Sequence, residues 1–303
     1  MTSEPSVLLF FVDGLGIGRR GPHNPFDGLD GAEPLAVFVD ETPEIPFGGR
    51  LARTDPRLGV AGRPQSASGQ TTILTGVNAP GVIGAHKQGF PNRPLLDIIR
   101  AHSIFLQLKR RGIEPVTFAN TYTRVFFERR PRWISATTAA AEAADMRFNV
   151  VDDLKAGRSL YHDFTNALLM ERGELVKPRT PEEAGGILAG IVEAHRFTLY
   201  EYFLTDRIGH QQDFEGARKI IQSLASMIRA LLAKLDLTRT TVLLTSDHGN
   251  IEDLSVRNHT LNDVPTLIWG AQSAVLETRI KSLRDITPSI CELLAPEAVT
   301  ITS

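Results

Sequence analysis

The sequence has one cysteine, Cys291. That excludes an intrachain disulfide framework and fits a reducing cytoplasm. The residue lies in an apolar helical pattern, which predicts a place in the core. An excess of charge is missing too: 33 Lys and Arg stand against 35 Asp and Glu, for a formal net charge of -2. No strong field for nucleic acid or an anionic membrane follows. No apolar run approaches the length of a membrane span. The run at residues 7–12 is too short for a signal-peptide core and has no basic residue before it. Internal repeats and low-complexity tracts are absent. What remains is 303 residues, 42% hydrophobic and 22% charged, as in ordinary soluble globular proteins. The expectation is a cytoplasmic protein with no nucleic-acid or membrane partner.

Three runs, residues 6–12 (SVLLFFV), 197–205 (FTLYEYFLT) and 241–246 (TVLLTS), are apolar and β-branched and read as buried strands. Further strands are predicted at 50–54, 114–122 and 263–269. Helical spacing predicts helices from Ser66, over 95–111 with Gly112 as its C′ residue, and over 181–195, 214–235 and 284–294. Asp213 reads as an N-cap. This alternation predicts an α/β fold around a mostly parallel sheet, one domain over 1–303. Residues 123–180 break the alternation and read as a small, partly helical, lid-like insert. Arg124, Arg129, Arg130 and Arg132 lie there and are candidates to meet an anion, or simply a solvated face. Residues 77–93 are glycine-rich and read as a mobile loop.

The three strand runs each end on an aspartate: Asp13, Asp206 and Asp247. In a mostly parallel sheet the carboxyl ends of the strands share one edge, where ligands bind. A single acid after a strand is ordinarily a turn residue or a cap. Three in the same topological position, with His210 four residues after Asp206 and His248 beside Asp247, point to metal chemistry. His259 follows in a polar loop. Ser66 reads as the N-cap of a small-residue helix, where backbone N–H groups and the helix dipole favour a phosphate or an alkoxide. Ser68, Thr71 and Thr72 are alternative hydroxyls. Three Asp, three His and a hydroxyl exceed one tetrahedral ion and suit two divalent ions sharing a substrate. Such a shell fits Zn²⁺ and Mn²⁺ equally and Mg²⁺ less. A dinucleotide-binding spacing at Gly16, Gly18 and Gly21, with Asp40 and Glu41 downstream, fails on context because no helix follows it. A P-loop is excluded for want of its Gly-Lys-Ser/Thr ending.

Asp13-Gly14, Ser66 to Gly69, Asp206 with Gly209-His210, Asp247-His248-Gly249-Asn250 and His259-Thr260 together resemble the alkaline phosphatase superfamily. The branch they resemble is the metalloenzyme group of cofactor-independent phosphoglycerate mutase and phosphopentomutase. The resemblance implies an α/β/α sandwich. It implies one metal on Asp13, Ser66, Asp247 and His248, and a second on Asp206, His210 and His259. It further implies Ser66 as nucleophile toward a small phosphorylated substrate, through a phosphoserine intermediate. Two departures stand out. The mutases carry a histidine where this chain has Gln70. They also carry a large cap, where only about sixty residues are available here. A mutase must keep its intermediate from water, so the small insert favours a phosphatase or phosphodiesterase over a mutase.

Overall fold

A computed structural model describes residues 4–295. Its centre is a six-stranded sheet in the order β2-β8-β7-β1-β6-β3. The strands are β1 (Ser6–Val12), β2 (Arg50–Thr54), β3 (Val116–Phe118), β6 (Phe197–Tyr202), β7 (Thr240–Thr245) and β8 (Val264–Trp269). Two short strands, β4 (Thr121–Tyr122) and β5 (Asn149–Val150), pair separately in parallel. β1 runs parallel to β6 and β7, and β3 parallel to β6. Only β8 runs against its neighbours β7 and β2. The sheet is mostly parallel, as its apolar strands require. A parallel sheet is covered on both faces, so its strands need no polar side.

β1 shows how the layers form. Leu8, Phe10 and Val12 point to one face, Val7, Leu9 and Phe11 to the other, by the two-residue period of a strand. On the first face lie the helices Pro181–Glu193 and Phe214–Leu232, whose apolar stripes include Leu188, Val192, Ile221, Leu224 and Leu231. On the second lie Ser66–Thr75, Ile104–Arg110, Ala136–Glu142 and Ile286–Leu294. Burying each Leu, Ile or Phe stabilises by about 1.5–3 kcal/mol. Cys291 is in this second core. The fold is α/β with helices on both faces, as in alkaline phosphatase-like proteins.

Several boundaries differ from the sequence reading. The helix expected over 95–111 is two, Arg93–His102 and Ile104–Arg110. Ser103 breaks them with an extended ψ of 135°, and its hydroxyl donates to the Ala140 carbonyl at 2.7 Å. The strand expected over 114–122 is β3 and β4, which belong to different sheets. The strand expected over 197–205 stops at Tyr202, and Asp206 lies in the first turn of the helix Leu204–Gln211. The alanine-rich helix Ala136–Glu142, within the 123–180 segment, is packed into the second core.

The antiparallel β8 has a consequence for the site. Chain leaving β7 at the carboxyl edge returns into β8 at that same edge. Everything between them, from Asp247 to His259, is therefore held there.

Candidate metal centre and nucleophile

Asp13 directly follows β1, and Asp247 and His248 follow β7. Helix Leu204–Gln211 begins just past β6 and places Asp206 and His210 one turn apart on one face. His259 comes from the loop before β8. Ser66 opens the helix Ser66–Thr75. Its N-cap is Gln65, not Ser66 itself, and the Ser66 side chain makes no cap bond. It turns instead to His248, with Oγ 2.9 Å from Nε2. Gly69 lets this helix approach β7: a Cβ there would lie 3.0 Å from the Asp247 carbonyl oxygen.

All seven residues gather at the carboxyl edge in two adjoining groups. In the first, His248 Nε2 lies 3.4 Å from Asp13 Oδ1 and 3.5 Å from Asp247 Oδ2, with Ser66 Oγ against the same nitrogen. Asp13, Asp247 and His248 each present one ligand atom within 4.8 Å of the others. In the second, His210 Nε2 is 3.3 Å from Asp206 Oδ2 and 3.3 Å from His259 Nε2. His259 Nε2 is 3.6 Å from Asp206 Oδ1. The groups touch where the rings of His248 and His259 stack, centroids 3.5 Å apart. Asp206, His248 and His259 form a further set of mutually close ligand atoms across this boundary.

Burial tells the same story electrically. The Asp13 carboxyl is pushed well above the usual range by burial and then by the Asp247 charge. Asp247 is pushed up to about 8, by burial first and the Asp206 charge second. Burial drives His248 down to about 3, so its ring is neutral at pH 7. Asp206 goes the other way: burial opposes its charge, but hydrogen bonds from His210 and Asn250 outweigh that and hold it low. Asn250 Nδ2 donates to Asp206 Oδ1 at 2.6 Å. The Asp206 and His210 side chains are 16% and 41% exposed, so the site opens to solvent on this side.

A divalent ion fits these residues. Among the described residues, the buried Asp13 Oδ1, 3.4 Å from His248 Nε2, has no hydrogen-bond partner. His259 Nδ1 donates to the Pro64 carbonyl at 2.9 Å and His210 Nδ1 to the Arg257 carbonyl at 2.6 Å. A carbonyl only accepts, so each Nδ1 carries a proton, and Nε2 is the nitrogen turned inward, as in metal-ligating histidines. Oxygen and imidazole donors together suit Zn²⁺ and Mn²⁺.

Two more residues at this edge are not among the expected ligands: Gln70, noted only as a departure from the family pattern, and Glu252, which carries no signal in the sequence. Gln70 Nε2 reaches Asp247 Oδ2 at 3.2 Å and Asp13 Oδ2 at 3.4 Å, bridging two carboxylates that repel. Glu252 is buried behind Gly249. Gln70 meets carboxylates far away in sequence, and Glu252 joins nearby residues to the distant Gly16, so no periodicity or short motif announces what either one does. Arg124 and Arg130 of the 123–180 segment pair with Glu128 and Glu142.

Residues 180–298 match the model of the Metalloenzyme superfamily, a span containing Asp206, His210, Asp247, His248 and His259. Over that span the chain is similar to this superfamily. Similar curated proteins include the 2,3-bisphosphoglycerate-independent phosphoglycerate mutase of Desulforudis audaxviator, 33% identical over 125 residues. That match covers 37% of this chain and 24% of the relative. The corresponding mutase 1 of Archaeoglobus fulgidus is 36% identical over 77 residues, 25% of this chain and 18% of the relative. The chain thus spans about a quarter or less of the length of these curated relatives. Among solved structures it is similar to a Pyrococcus horikoshii protein, TM-score 0.53 at 13% identity, over 96% of this chain and 97% of that one. It is also similar to the cold-active alkaline phosphatase of a Shewanella species, TM-score 0.52 at 11% identity, over 95% and 99% of the two chains. At such identities the likeness is one of fold.

Proposed function

We propose that this protein is a metal-dependent phosphoester hydrolase, a phosphatase or phosphodiesterase, that acts on a small phosphorylated substrate through Ser66. The observation that carries the reading is the position of Ser66 Oγ, 2.9 Å from His248 Nε2 at a helix N-terminus and beside the Asp13–Asp247 pair. In this reading Asp13, Ser66, Asp247 and His248 hold one divalent ion and Asp206, His210 and His259 a second. Bound there, such ions neutralise the clustered carboxylates and lower the pKa of a coordinated hydroxyl.

The chain's own residues do the rest. Ser66 Oγ forms the new bond to phosphorus as the ester oxygen departs. N–H groups of the first turn of Ser66–Thr75 face the nonbridging oxygens. Gln70 keeps the two carboxylates apart on the side away from substrate. Water then cleaves the serine–phosphorus ester, and the product, inorganic phosphate from a monoester or a phosphomonoester from a diester, leaves past Asp206 and His210, where the site is open.

A second reading, a phosphomutase, is favoured by the names of the curated relatives. Two things support hydrolysis over it. Asp206 and His210 are open to solvent, and the alanine helix of 123–180 is spent on the core rather than on a lid. A panel of phosphomonoesters, diesters, phosphonoesters and phosphosugars, run after loading with Zn²⁺ or Mn²⁺, tests the proposal. Release of inorganic phosphate or a free alcohol supports it. An isomerised phosphosugar or phosphoglycerate with no phosphate released supports the mutase, and no turnover on any class sinks both.

A further inference from the structure

The glycines after β1 match a dinucleotide spacing yet open no helix, and phosphoryl transfer does not need them. Glu252 gives Gly16 and Gly18 a reason. It is 1% exposed and lies between the loop after β1, the loop after β7 and the loop before β8. Its Oε2 accepts the backbone N–H of Gly16 at 3.0 Å and of Asn250 at 2.8 Å. Its Oε1 accepts the Thr260 hydroxyl at 2.5 Å and the Asn262 side-chain amide at 3.0 Å. A Cβ on Gly16 or on Gly249 would collide with this carboxylate, and one on Gly18 would come within 2.9 Å of its Cγ. The glycines are the space into which Glu252 is folded.

A carboxylate has about four lone-pair sites. All four here are taken by neutral donors, from the loop after β1 and from both ends of the β7–β8 connection, so Glu252 is neither a metal ligand nor a base. Those segments are the ones that carry Asp13, Asp247 with His248, and His259. Gly16 lies three residues past Asp13, Asn250 two past His248, and Thr260 adjoins His259. Thr260 is tied in again by its own N–H, which donates to the Gly249 carbonyl at 3.0 Å.

We propose that Glu252 is a positioning residue that sets the spacing between the two halves of the site. Through Gly16 and Asn250 it fixes the Asp13 and Asp247–His248 loops, and through Thr260 it fixes His259. Its consequence for metal rests on the two-ion reading above; its effect on the loops does not.

Glu252→Gln keeps the shape and turns one acceptor into a donor. Thr260→Val removes only the link to the His259 loop, and Thr260→Ser keeps it. Amide hydrogen exchange on the metal-free full chain reads the loops. Glu252→Gln should speed exchange about tenfold in 14–18, 249–252 and 259–263 while β1 and β7 stay as protected as before. Thr260→Val should do so in 259–263 alone. Calorimetric titration with Zn²⁺ reads the ions. Glu252→Gln should weaken both binding steps by about 10–100-fold, and Thr260→Val only the step that Asp206→Asn removes, with Thr260→Ser like the parent. Exchange that rises equally in strands and loops, or Thr260→Val matching the parent in both assays, overturns the proposal. If Glu252→Gln does not fold, the Thr260 pair decides alone. A parent that binds no Zn²⁺ would sink the two-ion reading and leave the exchange result to judge Glu252.

Discussion

Ser66, the proposed nucleophile, and Glu201 separate a role in chemistry from a role in the fold. Ser66→Ala removes an oxygen that bears no part of the core, so it should abolish turnover, by about a thousandfold or more, with metal content nearly intact. Activity against metal analysis on the same samples checks this. Wild-type rates would move the nucleophile to Ser68, Thr71 or Thr72. Ser68 and the threonines are less well placed: their hydroxyls already donate to the carbonyls of Gln65, Ala67 and Ser68. Glu201 on β6 is a buried carboxyl whose Oε2 accepts from Thr137 Oγ1 at 2.7 Å. Burial pushes it up to about 7, against which that hydrogen bond is the lesser effect. A folded pKa above the ordinary value means stability that is full below about pH 4.5 and is lost as pH rises through 7. In chelated protein, Glu201→Gln should remove about 3 kcal/mol of that decline, read from urea unfolding at pH 5 and pH 8. An unchanged slope would mean that Glu201 ionises freely in the fold. Of the residues gathered at this edge, the Asp and His were legible because such residues at strand ends are conspicuous. Gln70 was legible only as a departure from the family pattern, and Glu201 and Glu252 were not legible at all. One polar residue in an apolar strand or a loop says nothing until its partners, up to 236 residues away for Gly16 and Glu252, are folded against it.

Secondary elements were legible where a run had one environment along its length and illegible where a tertiary contact cut it. β1 and β7 are buried throughout and were read to within a residue. The helix expected over 95–111 breaks at Ser103 because the Ser103 hydroxyl is claimed by Ala140, a contact that spacing cannot reveal. β6 ends three residues early because Phe203 turns out of the strand at φ -124°, ψ 8°, and that turn starts the helix bearing Asp206 and His210. The error was productive: Asp206 still reaches the edge, now four residues from His210 on a real helix. The close pair Pro181–Glu193 and Phe214–Leu232 depends on Gly185. A Cβ there would sit 2.5 Å from the Met227 carbonyl oxygen and 2.8 Å from the Leu231 nitrogen, both backbone atoms that cannot swing aside. Gly185→Ala gains helix propensity, worth about 0.8–1.0 kcal/mol, yet forces the helices apart at a cost of about 1–3 kcal/mol. The net expectation is a lower Tm by circular dichroism, with activity per folded molecule unchanged. A raised Tm would show that the packing gives way without cost.

The whole molecule is built to bring acids to one edge of a sheet, and that arrangement has a measurable cost. Asp13 and Asp247 are buried together, and both are held above the ordinary carboxylate range, by burial first and neighbouring negative charge second. Without ions, the stability linked to them is fully present below the unfolded value of about 4 and is lost as pH rises toward their folded values, about 8 for Asp247. A cation bound only by the folded chain reverses the sign. Protons compete with it for the same oxygens and imidazoles, so its contribution grows as pH rises. At a free concentration of a hundred times Kd that contribution is about 2.7 kcal/mol. Calorimetric melts between about pH 5 and pH 8 should therefore slope in opposite directions. With EDTA, Tm should fall as pH is raised. With Zn²⁺ or Mn²⁺, it should hold or rise over the same interval, and the gap between the curves should be widest at pH 8. Glu201 adds to the downward slope in both samples, so the difference between them, rather than either curve alone, reports the ions. Curves that fall in parallel, with and without metal, would mean that the acidic edge binds no ion and that its repulsion is simply borne by the rest of the fold.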